Sequence, residues 1–433
     1  MSGWWVRTRL EPAAPGARVT RLELFYDLVF VYAFLNVTTV TSEALTPSDL
    51  AKGLLVLVLL WFAWITFAAL GNFVRADQGF MPLIGFATMA AIVGLAVTVP
   101  EAFANRPGGL PGDLIFASCY FVVRALQVVG LGFAATGLSR LRRPLLLQAP
   151  PVLISTCLLF VAATLPHRFL SGRAEFAARA GIWLLAIAVE YTASALIRVQ
   201  DIMIVSVEHW ADRYAQIILI AFGESILSVG IGPNLVTGLP VSWPVLLGIA
   251  LSIAIIAALW WTYFDSLAPA AEEALRRTPG DALGTRSRDA YMYLHLPMIV
   301  GIILLSLGLK RVLADLANPG SPSTGDTLAG VERFVLAGGI TVYLLALTGF
   351  QWRMIGRPDR ITPWAIALTV AQIPIARLVP ELIALALLTL VTTAQVTVWA
   401  IRTRGRRRTF QQRRLDEQRA LEAGEIEWRR RHM

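Results

Sequence analysis

Residues 50–73 read LAKGLLVLVLLWFAWITFAALGNF, an apolar run with one charge, Lys52, near its start and none after it. A helix of that length spans the ~30 Å hydrocarbon layer of a bilayer at 1.5 Å of rise per residue. Its apolar residues fall on all sides, the pattern of a segment buried in lipid and protein and not of an amphipathic surface helix. Comparable runs recur near 22–43, 79–99, 113–136, 144–165, 174–197, 213–235, 241–266, 288–312, 330–352, 362–377 and 380–401.

Composition agrees, with 56% hydrophobic and 15% charged residues and a mean hydropathy of +0.63, far from a soluble domain. The expected fold class is all-α: a polytopic transmembrane helix bundle of about 12 spans. It divides into an N-terminal cytoplasmic segment (1–18), a transmembrane domain (19–401) and a basic cytoplasmic tail (402–433). Between spans, only Ala268–Arg288 and Lys310–Gly330 are long and polar enough for water. Whether the short run at 362–377 crosses fully is open. The N-terminus lacks the apolar core and cleavage site of a secretory signal, so the first span reads as an uncleaved anchor.

With the N-terminus inside, one face collects most arginines, among them Arg75, Arg140, Arg142, Arg143, Arg276, Arg277, Arg353, Arg357 and the tail. The other collects only Lys52, Arg106, Arg168, Arg173, Lys310, Arg311, Arg333 and Arg377. The positive-inside rule then places both termini in the cytoplasm. Lys52 and Lys310 are the only lysines. That bias, with abundant Ala, Gly and Pro, fits a GC-rich bacterial genome and hence the bacterial inner membrane. Both lysines are read at span ends, which excludes a retinal Schiff base.

Cys119 and Cys157 fall inside apolar runs and read as small hydrophobic residues. The tail carries eleven arginines against five acids, which suits anionic lipid headgroups and equally a stop-transfer flank with a solvated helix. Two short echoes suggest six-helix repeats, with halves 19–200 and 201–401. Glu23-Leu-Phe-Tyr-Asp27 is matched by Glu208-His-Trp-Ala-Asp212, and Trp61-Phe-Ala-Trp64 by Trp260-Trp-Thr-Tyr263. Such a duplication is a known plan for transport proteins.

Ionised residues inside a bilayer cost ~2.5–3.5 kcal/mol each on insertion scales and therefore face the interior and pair. Arg124 and Glu224 lie near the middles of their spans. Asp27, Glu190 and His295 lie in cytoplasmic halves, and Asp265 at a cytoplasmic end. Matching depth makes Arg124–Glu224 the first expected ion pair and Glu190 the second candidate partner. At least two of Asp27, Glu190 and Glu224 are then expected to lack an intramembrane cation, which points to a cation or proton as cargo. Tyr291 and His295 share a helical face ahead of Pro297, while Gln127 and Ser228 extend the polar faces of Arg124 and Glu224. No H-E-x-x-H, G-x-S-x-G, Walker lysine or Cys cluster occurs, so neither an enzyme nor a cofactor nor a nucleic-acid partner is expected. The spacing Ala90-x-x-x-Gly94 would permit close helix contact within a chain or in an oligomer.

RLELFYDLVFVYAF at 21–34 resembles the opening motif of the low temperature requirement A (LtrA) family of bacterial membrane proteins. LWFAW at 60–64, PEAF at 100–103, YFVVR at 120–124, DRYAQIILIAFGESIL at 212–227 and YLHLPMIVGI at 293–302 follow in family order. Asp212 and Ala215 depart from the Glu and Gly of the family's seventh-span motif. The family name records a growth phenotype, so the resemblance implies the fold and leaves activity open. Arg21-x-x-x-Phe25-x-Asp27 is also similar to the R-x-x-x-F-S-D motif that opens the pore helix of two-repeat lysosomal and bacterial potassium channels. Tyr26 replaces the serine, and the second half has no copy. That likeness implies a pore role for Arg21 and Phe25.

Three function classes stay open. The first is a channel or transporter for a small cation or a proton-coupled solute, lined by Asp27, Glu190, Glu224 and His295 with Arg124 as counter-charge. The second is a non-transporting component for cold or stress adaptation acting through lipids or a partner. The third is a membrane-embedded lipid enzyme, which would need a cluster such as Asp265 with His209 and Glu208.

Overall fold

The computed structural model describes residues 12–137, 141–196, 204–234 and 242–402 apart from 319, 321, 323 and 329, together with 419 and 423. Apart from those two positions, the basic tail from 403 onward lies outside the described residues.

The first half contains α1 (Arg21–Ala44), α2 (Pro47–Phe73), α3 (Met81–Val97), α4 (Gly112–Gly137), α5 (Arg142–Thr164), a short α6 (Pro166–Phe169) and α7 (Gly172–Leu196). The second contains α8 (Val207–Asn234), α9 (Trp243–Phe264), α10 (Leu267–Arg276), α11 (Gly280–Ser287), α12 (Leu294–Ala317), α13 (Glu332–Ile355), α14 (Thr362–Ile375) and α15 (Glu381–Arg402). Among the described residues ten helices are long and apolar enough to cross a membrane, and the shorter apolar α3 and α14 complete the expected series.

Three expectations are corrected. α8 begins at Val207 and not near 213, which brings Arg213 inside a helix. Lys310 and Arg311 lie within α12 and not in a loop. The stretch 268–288 is largely helical, because Leu267, Ala271 and Leu275 recur every fourth residue and bury one face of α10.

Burial places α2 and α12 at the centre: 72% and 67% of their most apolar stretches are buried, against 22% for α7. α1 packs on α2, α3, α8 and α12, and so joins the two halves. One neighbour order recurs in both. In the first half α1 touches α2 and α3, α3 touches α4, and α4 touches α5; in the second α8 touches α9 and α12, α12 touches α13, and α13 touches α14.

The tightest contact is between α12 and α13. A Cβ on Gly301 would lie 2.7 Å from the Gly339 carbonyl oxygen, and one on Gly339 would lie 2.5 Å from the Leu305 nitrogen. Glycine at both positions lets the two backbones approach, as small residues do between membrane helices. A π-helical stretch, Arg288–Tyr293, leads into α12. Pro297 follows one turn later and cannot donate to the Tyr293 carbonyl, which relaxes the helix at this point.

Candidate functional site

α1 and α8 run side by side in the same direction, and one register ties them together. His209 faces Glu23, Arg213 faces Asp27 and Glu224 faces Thr38, each partner 186 residues on. The first contact grows from the cap of α1. Glu23 Oε2 accepts from the Thr20 N–H and hydroxyl at 2.9 Å each, a capping box, while Oε1 meets His209 Nε2 at 2.8 Å. Asn72 sets the histidine tautomer. Its Oδ1 accepts from the Val205 N–H at 2.8 Å, so its Nδ2 donates to the Ser206 carbonyl at 2.8 Å and faces His209 Nδ1 at 3.3 Å. Nδ1 is therefore an acceptor, and Nε2 carries the proton toward Glu23.

One turn deeper, Arg213 donates to both oxygens of Asp27 at 2.8 Å and to the Glu23 carbonyl at 3.1 Å. Trp64 Nε1 donates to Asp27 Oδ1 at 3.0 Å, and its ring lies 5.4 Å from the guanidinium carbon. The two-point geometry and the extra donors are what make a fully buried pair tolerable. Asp27 thus has the intramembrane cation that the sequence reading denied it.

The expected Arg124–Glu224 pair does not form. Arg124 Nη2 meets Glu190 Oε2 at 3.0 Å, while its Nη1 donates to Gln127 Oε1 at 2.9 Å and to the Thr66 hydroxyl. Tyr120 and Ser155 hydroxyls complete Glu190 at 2.9 and 2.6 Å. Depth alone could not choose between two acids; the side of the helix decides, and α7 packs on α5 and α2 and meets α4 through Trp183 on Phe116, while α8 packs chiefly on α12 and α1. Tyr26 stacks on Phe67 with centroids 3.7 Å apart, and its buried hydroxyl has no hydrogen-bond partner among the described residues. The Arg124–Glu190 pair forms the inner wall of a cavity of about 110 Å³. Gln148, Ser194, Trp210 and Arg288 carry that cavity toward the end of the bundle where α1 begins.

Glu224 is fully buried between α1, α8 and α12. Its Oε1 accepts from Thr38 at 2.7 Å and Ser228 at 2.6 Å, and the buried Ser306 hydroxyl adjoins it. Lys310 donates to Thr39 at 2.8 Å, one residue along α1. Between Asp27 and Glu224 along α1 and α8, the apolar Phe30, Phe34, Ile217, Ile218 and Ala221 are all buried.

His295 stands apart from the carboxylates. Its Nδ1 faces the Ala290 carbonyl at 3.2 Å, so it carries the proton, and Nε2 accepts from the Tyr263 hydroxyl at 2.9 Å. Tyr291 stacks on it at 5.1 Å. Arg21 and Phe25 lie on the outer surface, Phe25 edge-on to Phe86, so the channel-like motif contributes only Asp27 to the interior. Asp265 lines a separate cavity, whereas His209 is engaged by Glu23 and Glu208 by Arg276 at 3.1 Å. Among the described residues no group of His, Cys, Asp and Glu could hold a metal ion.

Twelve apolar helices around an interior held by buried ion pairs define a multi-pass integral membrane protein. The chain belongs to the bacterial low temperature requirement A protein (LtrA) family, whose model matches residues 18–397. It is 28% identical over 301 residues to Uncharacterized protein RA0937 of Rhizobium meliloti (strain 1021), covering 66% of this chain and 67% of that one.

Sequence reasoning missed Asn72 and the inward role of Arg213, and it read Glu23 only in a repeat echo and His209 only in a possible lipid-enzyme cluster. A signal was present: Glu23 and Asp27 are four apart, as are His209 and Arg213, so each helix offers a complementary two-residue face.

Proposed function

We propose that this protein is a secondary transporter of the bacterial inner membrane that moves a small polar solute together with protons. The observation that carries the reading is the cavity ending on the Arg124–Glu190 pair. It offers a cation, a carboxylate and amide groups inside an apolar shell, the mixture that binds small amino acids and related zwitterions. Glu224, which accepts from the Thr38 and Ser228 hydroxyls with the Lys310 charge nearby, supplies the proton site. The buried apolar stretch between Asp27 and Glu224 fits a carrier that exposes its site to one side at a time. The arginine distribution orients the cavity toward the cytoplasm and puts both termini there. The protein acts by moving its solute and not by changing it covalently, and its basic tail engages anionic headgroups.

A second reading, passage of a small cation, is favoured by the oxygen-rich surroundings of Glu224. Thr38, Ser228 and Ser306 give that carboxylate a shell suited to a sodium-sized ion as well as a proton.

The solute reading is tested by melting the purified protein with a panel of amino acids and short carboxylic acids. At least one is expected to raise the melting temperature of the wild type and to leave Arg124→Gln and Glu190→Gln at their own unliganded values. No shift with any of them, or equal shifts in the variants, contradicts it.

A further inference from the structure

A second and larger cavity, of about 1140 Å³, opens where α9, α13 and α15 end and α14 begins, on the arginine-rich side. Arg357, Arg360 and Arg402 line it, and no side chain among the described residues pairs with any of them. The first turn of α14 also borders it, and that N-terminus has no side-chain cap. Three guanidinium groups lining one cavity beside a helix start without a side-chain cap concentrate positive charge suited to an anion such as a phosphate.

The same lining supplies acceptors. Thr362 gives its hydroxyl proton to Asp359 at 3.2 Å, so it can only accept from Gln395, whose Nε2 lies 3.3 Å away. That fixes the Gln395 amide and leaves its Oε1, on a side chain 6% exposed, buried without a partner. Asp265 lines the same cavity. The ligand therefore needs a phosphate for the arginines and a hydrogen-bond donor for Gln395. The space exceeds the ~300–1,000 Å³ of ordinary small-molecule pockets, and Ile355, Trp364 and Ile401 nearby are 44%, 73% and 61% exposed, as lipid-facing residues are.

We propose that this cavity seats the headgroup and upper chains of a membrane phospholipid whose phosphodiester carries a donor, an ethanolamine ammonium or a glycerol hydroxyl. The site is independent of the transport reading.

Native mass spectrometry of the full-length protein with phosphatidylethanolamine, phosphatidylglycerol and phosphatidylcholine tests it, since choline has no donor. The wild type is expected to retain the first two about tenfold better than the third. Arg357→Gln, Arg360→Gln and Arg402→Gln combined, which break no side-chain bond among the described residues, should lower retention of both about tenfold. Gln395→Leu should erase the preference over phosphatidylcholine. Equal retention of phosphatidylcholine by the wild type, or unchanged retention by the triple variant, would overturn the site. Displacement of bound lipid by an equal concentration of soluble glycerophosphoethanolamine would overturn the assignment to a membrane lipid.

Discussion

Arg213 holds both carboxylate oxygens of Asp27 at 2.8 Å in a place where neither side chain meets solvent. The offset of 186 residues between them also joins Glu23 to His209 and Thr38 to Glu224. α1 and α8 therefore meet at equal steps along their lengths. The segments that supply the two lower contacts also carry the paired Glu-x-x-x-Asp echo.

Removing one member of that pair strands the other charge. Asp27→Asn is expected to destabilise the protein by about 3–5 kcal/mol, as is Arg213→Gln. The double variant should lose clearly less than the sum. A double-mutant cycle from denaturant unfolding in detergent checks this, and strictly additive losses would show that the two do not interact.

A contrasting pair lies at the surface. Arg18 meets Asp212 at 3.0 Å with its side chain 57% exposed, so Arg18→Ala should cost less than about 1 kcal/mol. The loss should shrink further in high salt, which repeating the unfolding at two ionic strengths reveals.

Backbone contact between α12 and α13 predicts an asymmetry between adjacent glycines. Gly339→Ala drives a methyl group into the α12 backbone, while a methyl on Gly338 meets nothing within 4 Å. The first should lower stability by about 1–3 kcal/mol and the second should leave it nearly unchanged. Thermal unfolding of both variants is the comparison.

Gly71 makes room for the Glu23 carboxylate beside His209. Gly71→Ala should push Glu23 off the histidine and loosen the start of α8. Faster hydrogen exchange at the amides of His209 and Trp210, with exchange across α13 unchanged, is the expected result; uniform exchange would contradict it.

The helices were legible because a crossing demands a long apolar run whatever else it does, and the short run at 362–377 proved to be the short helix α14. Partners were less legible. Hydropathy averages over a helix's sides, so the first turns of α8, with Glu208, His209, Asp212 and Arg213, read as water-facing although His209 and Arg213 point inward. Depth was right for Arg124 and Glu224, yet depth says nothing of direction around the axis, and Arg124 turns to Glu190. Ser228 was legible one turn from Glu224 on the same helix, but the hydroxyls that reach Glu224 and Glu190 from other helices, Thr38, Tyr120 and Ser155, carry no sequence signal.

The most direct test of proton-coupled transport is lumenal pH in sealed liposomes holding the purified protein, followed as each solute of the amino acid and carboxylic acid panel is added outside. The wild type should acidify the lumen with at least one of them, and Glu224→Gln, at equal folded yield, should not. A lumen that keeps its pH with every solute, or a Glu224→Gln variant that acidifies it as fast as the wild type, would contradict the account.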